Sequence, residues 1–146
     1  LHPSKDTTHV LFNRYYADDS TSNWPKFSSD VTKHVYWGGT VVYMSIQLAA
    51  YMGFSEIYLL GIDLTYTLPK DWDGEEVISS TEDDENHFHK KYFGAGKRWH
   101  DPRVDRMQKS FTYAYNFLKG KNIQLINATE GGNLKVVPRK SYSSLF

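Results

Sequence analysis

The sequence predicts one α/β domain over residues 1–146, with a mainly parallel sheet, flanking helices and a long loop at the carboxyl edge of the sheet. Short segments rich in β-branched and aromatic residues alternate with longer helical segments. Residues 56–63, EIYLLGID, are apolar almost throughout, which is typical of a central parallel strand covered on both faces. This strand follows a helical segment closely and completes a strand–helix–strand unit with an expected right-handed crossover.

The first part of the chain supplies two strands and a helix. Residues 8–16 have the composition of a strand, and the Asp-, Ser- and Asn-rich residues after them indicate a loop. Residues 31–37 predict a second, short strand. Gly38 and Gly39 then precede VVYMSIQLAAYMGF, whose length and near-total apolarity predict a buried helix that ends near Gly53. Such a helix must be covered on nearly all sides.

The second part of the chain supplies a long connection, a helix and a strand. Residues 64–100 are polar and too many for a routine connection, which indicates a functional or disordered loop. Asp101 as N-cap and Pro102 at the first helical position predict the start of a second helix, and Gly120 predicts its end. Its apolar stripe consists of Val104, Met107, Phe111, Ala114, Tyr115 and Leu118. Residues 123–127 predict another buried strand before an irregular tail.

Composition limits the partners and the compartment. The 17 Lys plus Arg residues balance the 17 Asp plus Glu residues, so no net field favours nucleic acid or an anionic membrane. The absence of cysteine excludes disulfides and thiolate sites and fits a reducing compartment. The longest apolar run, residues 40–52, is too short to span a bilayer. We therefore expect a cytoplasmic protein without a nucleic-acid partner or a transmembrane segment, and homo-oligomerisation stays open.

The carboxyl edge of the sheet is the predicted binding site, because open α/β sheets bind ligands there. Three segments should meet at that edge: residues 37–40, 63–66 and 127–133. In the first, the backbone of Gly38, Gly39 and Thr40 could approach a phosphate at the positive end of a helix dipole. The alternative is a tight turn in which Thr40 caps the helix. Asn127 opens the third segment and joins the candidate binding residues.

Asp63 and His87 are the candidate catalytic residues. Asp63 follows a buried strand, where a carboxylate can hold a ribose hydroxyl, a magnesium ion or a reacting proton. The alternative is a cap for its own loop. His87 and His89 show no HExxH-type spacing, so a single imidazole acting as general base is favoured over a zinc site. Solvated loop histidines are the alternative.

Four stretches resemble the bacterial branch of the MptE-like family, over residues 35–146. They are GGTVVYMSIQLAAYMGFSEIYLLGIDLTY from Gly38, NHFHKKYF from Asn86, NATEGGNLKVVPR from Asn127, and the terminal YSSLF. The resemblance implies a Rossmann-like domain found beside surface-polysaccharide genes, with 6-hydroxymethylpterin diphosphokinases as archaeal relatives. Such relatives carry an upstream nucleotide-binding half, and a chain that starts at Leu1 is compatible with the C-terminal part of a longer protein.

The helix and the strand after it are more distantly similar to family 42 bacterial sialyltransferases. In that family a Gly/Ser-rich turn touches the nucleotide sugar, tyrosines after the strand hold its phosphate, and a loop histidine is the general base. By position, the resemblance implies Gly38 and Gly39 for the turn, Tyr66 for a phosphate tyrosine and His87 for the base. Thr65 stands where the nearer family tyrosine would fall.

These observations favour a nucleotide-sugar-dependent, glycosyltransferase-like protein of surface-glycan assembly, with a nucleotide donor and a sugar acceptor. Its catalytic candidates are His87 and Asp63, and its binding candidates are Gly38, Gly39, Thr40, Thr65, Tyr66 and Asn127. One alternative is a diphosphokinase that transfers diphosphate from ATP to a pterin-type alcohol, with Mg²⁺ held by Asp63 and the acidic run EDDE. The other is a non-catalytic domain whose aromatic loop docks a partner.

Overall fold

The computed structural model describes residues 14–15, 23–69, 72, 74, 77–87 and 89–146. Most of the strand predicted at residues 8–16 lies outside the described residues. The elements in chain order are β1 (Arg14–Tyr15), β2 (Val35–Tyr36), α1 (Val41–Tyr51), β3 (Glu56–Leu59), β4 (Val77–Ser79), β5 (Arg98–His100), α2 (Val104–Lys119), β6 (Gln124–Asn127) and a 3₁₀ helix (Tyr142–Leu145). The predicted α/β class is confirmed for the part of the chain described.

Strands distant in sequence pair in parallel. β1 lies beside β2, and β3 lies beside β6 with Glu56 opposite Gln124. On the edge of β6 that faces away from β3, Asn127 forms an isolated parallel bridge with Arg139. Within the described residues the strand pairs remain separate two-stranded sheets, and the strands are shorter than predicted. The structure thus shows parallel α/β pairing without one continuous sheet in that part of the chain.

Helix α1 begins where its predicted cap places it. The Thr40 hydroxyl accepts a hydrogen bond from the Val42 N–H at 3.3 Å, which satisfies one of the free donors of the first turn. Tyr43 and Ile46 are buried, whereas Val41 is 62% exposed. The prediction of cover on nearly all sides is therefore wrong, because the helix buries one face and leaves apolar residues on the other.

Gln47 ties α1 to the preceding strand. Its side chain is fully buried, and its Oε1 accepts from the N–H groups of Ser28 and Tyr36, each at 3.0 Å. Its Nε2 donates to the carbonyls of Tyr36 at 2.8 Å and Tyr43 at 2.9 Å. A residue that interrupts the apolar run in the sequence thus satisfies backbone groups that would be costly to bury unpaired.

Helix α2 begins later than predicted. Its N-cap is Arg103, in the left-handed region with φ 47°, rather than Asp101. Asp101 Oδ1 accepts from the Arg103 N–H at 3.0 Å, so Asp101 caps the turn before the helix and Pro102 lies outside it. The predicted end is confirmed, since Gly120 is the C-cap. Within the described residues neither helix has the length and apolarity needed to cross a bilayer.

One apolar core lies between the helices and the β3–β6 pair. Tyr43 of α1, Phe111 and Leu118 of α2, and Leu125 of β6 are each at most 2% exposed. Fully burying such a side chain stabilises a fold by about 1.5–3 kcal/mol. This core fixes β3 and β6 against the helices and so positions the loops that leave their carboxyl ends.

The long connection after β3 contains a hairpin that the sequence did not indicate. β4 and β5 pair antiparallel, with Val77 opposite His100 and Ile78 opposite Trp99. Ile78 and Trp99 are buried, at 2% and 9% exposure. The hairpin gives the loop between its strands a base of its own, and this loop carries His87.

Candidate functional site

His87 and Asp84 form a hydrogen-bonded pair in the loop between β4 and β5. Nδ1 of His87 lies 2.8 Å from Oδ2 of Asp84. The Asp84 side chain is 2% exposed, while the His87 side chain is 29% exposed. Because Nδ1 is engaged, Nε2 is the ring nitrogen left to exchange a proton with a substrate. This is the arrangement of a general base that a carboxylate orients.

Backbone groups hold Asp84 in place. Oδ2 also accepts from the Phe93 N–H, and Oδ1 accepts from the Asn86 N–H, both at 2.8 Å. Burial alone would raise the pKa of Asp84, but these N–H donors and the nearby His87 outweigh it and hold the pKa below its ordinary value of 3.8. Asp84 is therefore ionised at neutral pH and presents a negative charge to the His87 ring.

Aromatic rings fix the His87 ring from two sides. Tyr92 stacks on it with ring centres 4.6 Å apart, and Phe93 meets it edge-on at 5.2 Å. Phe93 in turn stacks on Trp99 of β5 at 5.9 Å, and Trp99 Nε1 donates to Ser80 Oγ at 3.0 Å. The imidazole is thus connected through packed rings to the hairpin, which restricts its orientation.

Asn86 connects this loop to the segment that follows β3. Its Oδ1 accepts from the Thr67 N–H at 2.6 Å, and its Nδ2 donates to the Thr67 carbonyl at 2.9 Å. The side-chain amide thus forms the same two hydrogen bonds with Thr67 that the backbone of a neighbouring strand would form. The residue next to His87 therefore ties the loop to the segment that follows β3.

A cavity of about 340 Å³ lies beside the His87–Asp84 pair. Asp84 and Phe93, which both contact His87, contribute to its lining. Trp99 adds an aromatic surface, and hydroxyls come from Thr67, Ser80 and Thr81. Further carboxylates come from Glu82, Asp83 and Glu85, and none of the described residues that line the cavity is Lys or Arg. The described lining is therefore negatively charged, which opposes phosphate groups and suits neutral or cationic ones.

The carboxylate of Asp63 accepts hydrogen bonds from within its own loop. Oδ1 accepts from both the N–H and the hydroxyl of Thr65, each at 2.8 Å. This matches the loop-cap alternative, although Oδ2 of Asp63 has no hydrogen-bond partner among the described residues. Tyr66 is 36% exposed, and partial burial, followed by the negative charge of Asp63, raises its pKa. Its hydroxyl is therefore a protonated donor at neutral pH.

The loop after β6 packs closely on Asp63. The Asn133 N–H donates to the Asp63 carbonyl at 2.5 Å. A Cβ placed on Gly132 would lie 2.6 Å from the Asp63 Cα, so only glycine allows this approach. The fully buried Asn127 side chain accepts from the Thr129 N–H at 2.9 Å and donates to the Leu134 carbonyl at 3.1 Å. Asn127 thus shapes this loop from inside.

Gly38 and Gly39 pack closely against the two helices, Gly38 against α1 and Gly39 against α2. A Cβ on Gly38 would lie 2.2 Å from the Tyr43 ring, and one on Gly39 would lie 3.5 Å from the Met107 side chain. Both residues have positive φ, 60° and 90°. Close packing and positive φ explain the glycine pair without a ligand, and the hydroxyl of Thr40 is used as the helix cap.

The structure brings together two of the three segments predicted to meet. Residues 63–66 contact residues 132–133, and Asn86 ties His87 to the same edge through Thr67. The contacts of Gly38 and Gly39 are with α1 and α2 instead. His89 is exposed, and its Nδ1 accepts from the Lys91 N–H at 3.2 Å. Phe88, between the two histidines, lies outside the described residues.

The pairing of Asp84 with His87 is the feature of the candidate site that the sequence analysis does not predict. The sequence indicates Asp84 only as a possible metal ligand in the EDDE run, although an Asp three residues before a loop His is a spacing that allows pairing in a tight turn. Among the described residues no group of three or more His, Cys, Asp or Glu side chains is placed to hold a metal ion. A magnesium site at Asp63 and the EDDE run therefore stays a prediction.

Comparison of the chain with protein-family models, with curated proteins and with solved structures finds no match. The resemblance to MptE-like proteins and to sialyltransferases rests on the sequence stretches alone and stays a prediction.

Proposed function

We propose that this chain is a transferase that moves a group from a nucleotide-activated donor, in the first place a nucleotide sugar, to a hydroxyl of an acceptor. His87 removes the proton of that hydroxyl through Nε2, and Asp84 orients the imidazole and stabilises its protonated form. The observation that carries the proposal is the 2.8 Å contact between His87 Nδ1 and the buried, ionised Asp84. A solvated loop histidine has no need of a buried carboxylate partner held by two backbone N–H groups.

The acceptor is assigned to the cavity beside this pair. Its aromatic surface and its oxygen-rich lining suit the apolar face and the hydroxyls of a sugar. Its carboxylates disfavour a diphosphate, so the nucleotide donor is assigned to the carboxyl edge at Asp63, Thr65 and Tyr66. In this proposal Tyr66 donates a hydrogen bond to the donor phosphate, and Asn127 acts indirectly by holding the loop that packs on Asp63.

The donor class and the role in surface-glycan assembly come from the sequence resemblance. A Rossmann-like arrangement is part of the same proposal. The parallel pairing of β3 with β6 and the core that this pair shares with α1 and α2 agree with it. The described ionisable residues that line the cavity beside the base are acidic, which favours sugar transfer over a diphosphokinase, because transfer of diphosphate brings several negative charges to the base.

A nucleotide panel tests the donor class. The unfolding midpoint would be measured with CMP, UDP and GDP, with their sugar conjugates, and with ATP plus Mg²⁺. We expect a sugar nucleotide to raise the midpoint and, with acceptor glycosides present, to release its nucleotide. Stabilisation by ATP plus Mg²⁺ alone, with transfer of diphosphate to a pterin-type alcohol, would replace this proposal with the diphosphokinase. No shift with any nucleotide would favour the non-catalytic domain.

A further inference from the structure

A second cavity, of about 430 Å³, lies away from His87 and has the opposite charge. We call it the basic groove; it lies between the end of α2, the outer edge of β6 and residues 138–140. Its charged lining residues are Lys119, Arg139 and Lys140, which come from two separate parts of the chain, and none of its described lining residues is Asp or Glu. Tyr115 adds an aromatic side.

Two of the three cations are available to a partner. The Arg139 guanidinium donates to the carbonyls of Thr129, Gly131 and Leu134, so it braces the neighbouring loop. Lys119 lies over the Tyr115 ring at 6.0 Å. Among the described residues neither Lys119 nor Lys140 has an ion pair with a carboxylate. The groove is therefore positively charged and not neutralised within the described part of the chain.

The backbone of β6 supplies the second observation. Gln124 and Ala128 donate their N–H groups to β3, to Ser55 and Leu59, both at 2.8 Å. Asn127 faces the other way, since its N–H donates to Pro138 at 2.8 Å and its carbonyl accepts from Lys140 at 3.1 Å. Because successive residues of a strand alternate in direction, the N–H and the carbonyl of Leu125 also face away from β3, into the groove.

Leu125 leaves that edge of the strand open. The residue is 2% exposed, and among the described residues no hydrogen bond outside the β3–β6 pairing reaches its N–H or its carbonyl. The N–H and the carbonyl of Leu125 can therefore pair with the carbonyl and the N–H of a neighbouring strand. A phosphate ion would satisfy the N–H and leave the carbonyl unmet. The unmet pair therefore favours a peptide backbone over a small anion.

We propose that the basic groove binds a short, extended, acidic peptide segment of a partner protein, which adds as a strand beside Leu125. The peptide exchanges backbone hydrogen bonds with Leu125, and its acidic side chains meet Lys119 and Lys140. Residues 138–140 already occupy the position beside Asn127, and the Ile123 N–H donates to the Leu118 carbonyl at 3.0 Å, so the backbone exchange is confined to Leu125. This surface is separate from the proposed catalytic pair.

The test uses a short acetylated and amidated peptide of alternating Glu and Val, titrated into the full chain. The measurements are its fluorescence anisotropy and the NMR shift and hydrogen exchange of the Leu125 amide. We expect binding that weakens with added salt, and slower exchange at Leu125. The double variant Lys119→Glu/Lys140→Glu should bind at least about tenfold more weakly. Lys109→Glu, on the exposed face of α2, should bind as wild type does.

Three controls can overturn the proposal. The same peptide methylated on its backbone nitrogens should lose binding; equal affinity would exclude strand addition. A peptide of alternating Lys and Val should not bind; equal affinity would exclude recognition by charge. Inorganic phosphate should leave the Leu125 amide unchanged, and an equal shift with phosphate alone would make the groove a small-anion site. Circular dichroism of each variant keeps a folding defect apart from a binding defect.

Discussion

Asp84 accepts the Nδ1–H of His87 at 2.8 Å and accepts the Phe93 N–H with the same oxygen, so one buried carboxylate both orders the loop and orients the candidate base. An amide at position 84 keeps one oxygen for the Phe93 N–H and His87, but it turns an NH2 group toward the Asn86 N–H and loses the charge that selects the imidazole tautomer. The first predictions use the loss of that charge, with donor binding and the unfolding midpoint measured to detect a change in the loop.

Asp84→Asn should lower the rate of transfer by about a hundredfold or more while the donor still binds. The reason is that a neutral amide no longer stabilises the protonated imidazole. The measurement is kcat together with donor affinity for the wild type and the variant. Asp83→Asn is the matched control, because Asp83 is exposed and lines the same cavity. A kcat for Asp84→Asn equal to that of Asp83→Asn would contradict the role of Asp84.

Acidification should remove the stabilisation that Asp84 provides. Its pKa in the folded protein is below the ordinary 3.8, so the unfolded state takes up a proton first as the pH falls. The contribution is fully present above that ordinary pKa and disappears as the pH falls through the folded value. The difference in unfolding midpoint between wild type and Asp84→Asn should therefore shrink as the pH drops from about 5 to about 3. A difference that stays constant over this range would refute the assignment.

Asn86→Ala should open the contact between the His87 loop and the segment after β3. The substitution removes both hydrogen bonds to Thr67, a loss of about 1–3 kcal/mol in local stability. Hydrogen exchange at the Thr67 amide should become faster, and kcat should fall as the base loses its position. Asn133→Ala is the control, because the hydrogen bond of Asn133 to Asp63 uses its backbone N–H. Equal exchange at Thr67 in both variants would show that the side chain of Asn86 is unnecessary.

Gly132→Ala should destabilise the protein more than Gly131→Ala. Both glycines have positive φ, 83° and 66°, so each alanine costs about 1 kcal/mol of backbone strain. Only the Gly132 Cβ would meet Asp63, at 2.6 Å from its Cα, whereas a Cβ on Gly131 meets nothing within 4 Å. We expect an additional loss of about 2 kcal/mol or more in the free energy of unfolding. Equal denaturation midpoints for the two variants would mean that the two loops do not touch.

Gln47→Leu should destabilise the fold strongly although it makes the core more apolar. The N–H groups of Ser28 and Tyr36 would lose their acceptor in a buried place, at about 1–3 kcal/mol each. Urea denaturation measures this loss. Gln108→Leu on α2, where Gln108 is only partly buried, is the control and should change stability by less than about 0.5 kcal/mol. A mild effect of Gln47→Leu would show that the amide is dispensable.

The elements most accessible to sequence reasoning were those that local chemistry decides. The start of α1 at the Thr40 cap, the end of α2 at Gly120 and the buried strand before Asn127 all depend on neighbouring residues. The start of α2 was predicted wrongly because Asp101 caps the preceding turn equally well. The β4–β5 hairpin was missed because its strands are three residues each and its stability comes from the pairing of Ile78 with Trp99 across the loop.

The candidate site was predictable only in part for a similar reason. His87 followed from residue type and loop position, since an imidazole in a polar loop suggests proton transfer. Its partner Asp84 looked like one more solvated acid, and only the turn that brings the Phe93 and Asn86 N–H groups to its oxygens makes it a buried anion. The direction of the Leu125 N–H and carbonyl could not be predicted either. It depends on the pairing of β6 with β3 and on the place where residues 138–140 stop pairing with β6, and the sequence pattern shows neither.

The most direct test of the central claim is the rate of nucleotide release from the sugar nucleotide that the binding panel selects, for wild type, His87→Gln and His89→Gln. Glutamine at position 87 can still donate to Asp84 but cannot act as a base near neutral pH. We predict that His87→Gln lowers release by about a hundredfold or more with unchanged donor binding, whereas the exposed His89→Gln behaves as wild type. Full turnover by His87→Gln would contradict the proposed mechanism.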